Sequence, residues 1–114
     1  MKSLPTKHQS IRTIYNDIEK LAGQAYFEEP DFWEGDLCAI GLHKNNKLVY
    51  ISTYNFIEYF DTDPKFFVEF EFIDPFSYKT GKIVKTFDEI TREALLEETA
   101  AFFELAACSP VALV

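Results

Sequence analysis

Glycine is scarce in this chain. The four glycines among 114 residues form no phosphate-cradling loop, dinucleotide fingerprint or nucleophile elbow, motifs that need glycine at fixed spacing for close backbone approach or a sharp turn. Histidine is scarcer still: His8 and His43 lie far apart, and neither has a cysteine or a second histidine at metal-ligand spacing, so no zinc site is expected. Asp61-Thr62-Asp63 begins like a calcium loop, but Pro64 and the missing glycine and distal glutamate break that pattern, leaving a turn. No metal and no cofactor are expected. The two cysteines, Cys38 and Cys108, stand 70 positions apart and read as free thiols of a reducing compartment. No apolar run approaches a membrane span, and Met1 to Lys7 carries no apolar stretch of signal-peptide length; a cytoplasmic location is expected.

Basic residues are also in deficit, 11 against 19 acidic ones, for a net charge of −8. Such a balance disfavours phosphate backbones and anionic membranes as ligands and makes basic proteins the natural partners, although net charge of this size also serves solubility. What the chain has in quantity is rings: 12 Phe and 6 Tyr beside a single Trp, most of them expected to fill a core.

One domain spanning residues 1–114 is expected, since a chain of this length removes roughly two-thirds of its unfolded surface from water. Ile11, Ile14, Tyr15, Ile18, Leu21, Ala22 and Ala25 recur at three-and-four spacing and predict a helix from Gln9 to Ala25. Pro30 and Gly35 then mark a loop. Asp36 to Lys44 and Lys47 to Asn55 flank Asn45-Asn46, a dipeptide suited to a tight hairpin. With Lys44 opposite Lys47, the residues Cys38, Ile40, Leu42, Val49, Ile51 and Thr53 share a core face, and Leu37, Ala39, Gly41, His43, Leu48, Tyr50, Ser52 and Tyr54 share the other. A third strand alternates Phe66, Val68, Phe70 and Phe72 inward with Phe67, Glu69, Glu71 and Ile73 outward. A fourth is expected around Ile83 and Val84, after a turn through Lys79-Thr80-Gly81. Thr86 to Glu89 has the hydroxyl-to-glutamate spacing of a capping box and predicts a helix from Phe87 to about Ala107. The apolar tail from Ala106 to Val114 is expected to close the sheet or dock on the body. The result is an α+β fold: an antiparallel sheet of three to five strands with an N-terminal and a C-terminal helix packed on one face.

Five carboxylates surround the tryptophan in Glu28-Glu29-Pro30-Asp31-Phe32-Trp33-Glu34-Gly35-Asp36, with no basic residue among them. The segment offers a cationic protein both a field to follow and an aromatic anchor to bury, while a loop tryptophan can equally cap the edge of a core. On the last helix Glu89, Glu93, Glu97 and Glu104 form an acidic stripe opposite Phe87, Ile90, Ala94, Leu95, Phe102 and Leu105. Leu96 and Phe103 lie beside that stripe, where they could contact a partner or, on a helix packed on two sides, belong to the core. Glu98 falls within the apolar stripe and needs a partner, whether a tyrosine hydroxyl, His43 or a lysine.

A short, acidic α+β chain bearing aromatic and carboxylate groups together resembles the bacterial immunity proteins that neutralise cationic toxin domains, notably those of contact-dependent growth inhibition systems. The resemblance spans the whole chain and rests on size, charge and layout. It implies a non-enzymatic, stoichiometric inhibitor of a cognate toxin, often a nuclease, whose active site or adjacent surface it covers. The residues expected to meet such a partner are Glu28, Glu29, Asp31, Trp33, Glu34 and Asp36 first, then Glu69 and Glu71 with Tyr50 and Tyr54, then Glu93 and Glu97. Two rival readings are a small enzyme or ligand-binding domain with a pocket around Glu98, and a homo-oligomeric adaptor associating through its tyrosine-rich sheet face.

Overall fold

A helix, α1 (Gln9–Ala22), opens the fold where the three-and-four spacing requires it. Its buried residues are Ser10, Ile11, Ile14, Tyr15 and Ile18, and Gly23, at φ 101°, ends it three residues short of the predicted limit. The computed structural model describes residues 7–23, 26–28, 36–74 and 80–105. The expectations for Ala25, for the loop through Pro30 and Gly35, for the turn at Lys79, for Cys108 and for the tail from Ala106 lie outside these residues.

Strands β1 (Ala39–Lys44) and β2 (Lys47–Ser52) form the expected hairpin with Lys44 opposite Lys47, and Asn45 takes φ 57° in the turn. A 3-10 helix (Tyr54–Tyr59) follows, then β3 (Lys65–Ile73) and β4 (Thr80–Thr91). The four described strands pair antiparallel in sequence order, which leaves β1 and β4 at the edges among the described residues. Helix α2 (Arg92–Phe103) closes the described chain. Both helices contribute to one core with the inner sheet face: Ile11, Ile14 and Ile18 of α1 and Leu95, Ala100 and Phe103 of α2 join Ile40, Leu42, Val49, Ile51, Phe66, Val68 and Phe70. An ion pair between Arg92 and Asp17, 2.8 Å apart, ties the two helices.

The C-terminal half departs from expectation. Thr86 to Thr91 belong to β4, and the helix starts at Arg92, where the Thr91 hydroxyl accepts the Ala94 amide at 3.2 Å. Phe87 opposite Val68 and Ile90 opposite Phe66 gain a ladder and a buried face together, and long-range pairing of this kind overrides a local capping signal. The helix also ends earlier than predicted, at Phe103, with Glu104 left-handed at φ 56°. The β3–β4 register slips three times, each slip adding one residue to β4. At one of them a Cβ on Gly81 would stand 2.8 Å from the Phe72 carbonyl oxygen, so glycine is required there.

The outer face of the sheet also differs from expectation. Ala39, His43, Leu48, Glu71 and Ile73 are all buried, so much of the sheet is covered on both sides. Alternation in a sequence does not distinguish an outer face that is covered from one that is wet. Cys38, predicted within a strand, lies half-buried in the turn before β1. Phe72, predicted inward, is more than one-third exposed, its ring centroid 5.8 Å from that of Phe102.

Candidate functional site

Tyr50 and Ser52 of β2 project outward beside Phe67 of β3, because residues two apart on a strand share a face and Ser52 pairs with Phe67. The 3-10 helix that follows β2 brings Tyr54 and Asn55 back over this end of the sheet, and Asp36 approaches from the turn before β1. These six residues line a cleft of about 330 Å³. The Tyr50 and Phe67 rings meet edge to face with centroids 6.0 Å apart, while Tyr54 is 74% exposed. Glu69, paired with Tyr50 across the strands, adds a second carboxylate.

The electrostatics follow from this arrangement. Burial pushes the Tyr50 phenol above its ordinary pKa; a hydrogen bond with Ser52 pulls the other way, and the charges of Asp36 and Glu69 push it further up. Asp36 Oδ1 accepts the Cys38 amide at 3.0 Å. Its main-chain oxygen and that of Ala39 each accept from the buried Lys7 Nζ at 2.7 Å. Burial and Asp36 raise the Cys38 thiol as well, against the opposing charge of Lys7, which favours the neutral, unreactive form.

A second cleft, of about 260 Å³, lies on the other side of the same 3-10 helix. It is lined by Asn55, Phe56, Tyr59, Asp63, Lys65 and Glu89. Lys65 Nζ stands 3.2 Å from both Asp63 and Glu89, so this cleft holds a cation of the protein's own.

The predicted contact residues therefore divide. Asp36, Tyr50, Tyr54 and Glu69 come together. Glu71 shares their face but is only 4% exposed; burial, then the charge of Glu69, raises its pKa. Glu28 is engaged by the hairpin end, accepting the Asn45 amide at 2.7 Å and lying 3.7 Å from His43 Nδ1. His43 itself is buried, contrary to the exposed position usual at a hairpin end. Glu93 and Glu97 lie exposed on α2, with Glu93 3.5 Å from Arg92. Glu29, Asp31, Trp33 and Glu34 lie outside the described residues.

Glu98 is partly exposed and finds the lysine partner envisaged for it, 3.0 Å from Lys85 Nζ. With Phe70, Val84, Lys85, Ala101 and Phe102 it lines a cleft of about 260 Å³ between β4 and α2. Phe103 is a core residue, and Leu96 packs against the core. Among the described residues no cluster of three or more metal-ligating side chains occurs, and no helix is long and apolar enough to cross a membrane.

Sequence reasoning placed Leu37, 50% exposed, on the outer face but did not single out Tyr59, which is 61% exposed. The available signal was Tyr54 and Tyr59 bracketing a short polar and aromatic stretch between two strands. No protein-family model matches the chain, and no curated protein or solved structure matches it either.

Proposed function

We propose that this protein is a binding module for a basic protein, and that it serves as an immunity protein, neutralising a cognate cationic toxin by covering its active site or an adjacent surface. The observation that carries the reading is the cleft at Asp36, Tyr50, Tyr54 and Phe67, where a carboxylate and accessible rings meet and none of the described lining residues is cationic. Tyrosine suits such a contact because it buries a large area for the loss of few rotamers. The −8 charge of the chain would accelerate encounter with a basic domain, and buried rings would slow its release.

In this reading the protein acts in the cytoplasm and performs no chemistry on its partner. Trp33 and its flanking carboxylates, adjoining Asp36 in sequence, would extend the same contact. The test is to express any basic C-terminal domain encoded by a neighbouring gene and to measure its association with this protein by stopped flow at rising ionic strength; a neighbourhood without such a domain would count against the proposal. The association rate should fall steeply with salt, and Tyr54→Ala should weaken the complex by about 2 kcal/mol, as expected for an aromatic anchor. A salt-independent rate, or an unchanged complex in Tyr54→Ala, would remove the proposal.

A further inference from the structure

We infer that the Asp36–Tyr50–Tyr54–Phe67 cleft is a receptor for a guanidinium group, so that the partner's arginine, rather than its lysine, enters it. The inference rests on the docking reading and specifies the chemistry of its central contact.

Three observations lead to it. The first is the pairing of groups: one wall is aromatic, with Tyr50 and Phe67 edge to face at 6.0 Å and Tyr54 standing open to solvent, while Asp36 supplies a carboxylate. Asp36 Oδ1 takes the Cys38 amide, and its other carboxylate oxygen has no hydrogen-bond partner among the described residues. A planar guanidinium can lie against a ring and direct N–H groups at a carboxylate at once; a compact, strongly hydrated ammonium does the first less well.

The second is the neighbouring cleft. It shares Asn55 and is lined by Phe56, Tyr59, Asp63 and Glu89 together with Lys65, which bridges the two carboxylates. Rings and carboxylates at this end of the sheet thus hold a cation, and among the described residues that line the Asp36 cleft none is cationic; the choice of a guanidinium over an ammonium rests on the first observation. The third is size. At about 330 Å³ the cleft lies near the roughly 300 Å³ at which small-ligand sites begin, which leaves room for a guanidinium together with the stem that carries it.

The experiment uses the intact protein and two probes, hexa-arginine and hexa-lysine peptides of equal charge, titrated at one fixed ionic strength with tyrosine ring resonances as the readout. Long-range attraction to an acidic protein acts equally on both peptides, so the ratio of their affinities isolates the short-range contact. The arginine peptide should bind about five- to tenfold more tightly, and Tyr54→Ala, a change at an exposed residue, should bring the ratio close to one. Equal binding by the unaltered protein overturns the inference, as does a ratio that survives Tyr54→Ala. If the peptides bind alike while Tyr54→Ala still weakens the toxin complex, the guanidinium assignment falls and the docking reading stands. If the peptides discriminate and no toxin domain binds, the cleft assignment stands and the docking reading falls.

Discussion

Replacing Glu71 by leucine should make the protein more stable, and by more at high pH than at low. Glu71 is 4% exposed on the outer sheet face, where its cross-strand neighbours are Leu48 and Ile83. No described residue forms an ion pair with it. Burial raises its pKa, with the nearby charge of Glu69 adding to the effect. A leucine there would bury apolar surface beside two aliphatic side chains, worth about 1.5–3 kcal/mol for full burial and less here because the glutamate stem is already covered. Removing the buried carboxylate also relieves its desolvation. A net gain of about 1–3 kcal/mol is expected. For 114 residues the unfolding entropy is about 0.24 kcal/mol/K, so Tm should rise by about 4–12 °C.

The pH dependence has a definite sign. As pH rises, the unfolded chain releases the Glu71 proton first, at an ordinary carboxylate pKa, while the folded protein retains it until the raised value is passed. Stability contributed by this group is therefore present below the ordinary pKa and lost through the window up to the raised one. Thermal melts by circular dichroism should show a small advantage for Glu71→Leu near pH 4 and a larger one near pH 8. An advantage that does not change with pH, or a variant less stable than the parent near pH 8, would refute the reasoning.

Three further outcomes are expected. In a tyrosinate absorbance titration Tyr50 should ionise above the ordinary tyrosine range, and Asp36→Asn should lower its pKa only part of the way, because burial remains; no change would separate Asp36 from the phenol. Thr91→Ala should cost about 1 kcal/mol in urea unfolding through loss of the helix cap, against at most about 0.5 kcal/mol for the exposed Thr86→Ala; the reverse order would restore the helix start read from the sequence. A double-mutant cycle on Asp17 and Arg92 should give a coupling of about 0.5–1 kcal/mol that shrinks with salt, and a coupling near zero would show that packing alone joins the helices.

Where a signal was periodic and local, the sequence could be read well. The isoleucines of α1, the Asn45-Asn46 turn and the alternation through Phe70 set helix, hairpin and third strand with their registers. The start of α2 could not be read in the same way, since Thr86 to Glu89 satisfies a local capping rule and only pairing with Phe66 and Val68 reveals a strand. The candidate site was half visible. Tyr50 and Glu69 follow from register alone, but the cleft also needs the 3-10 helix to fold Tyr54 and Asn55 back over β2, and no spacing rule encodes that return. Burial of Glu71 and His43 was hidden for a related reason, because alternation assigns a side chain to a face without saying what covers that face.

The three surplus residues in β4 bear on how the sheet border meets other extended chains. Each one turns the following amides out of the plane of those before it. An extended chain arriving at this border would match donors and acceptors for about two or three residues before the spacing slipped, and it would meet the lysines at 82 and 85. Cross-β growth needs a long, flat, repeating template, which this border does not offer, and at the opposite border Glu28 already bridges to His43. Neither described border of the sheet is therefore a good template for fibril growth.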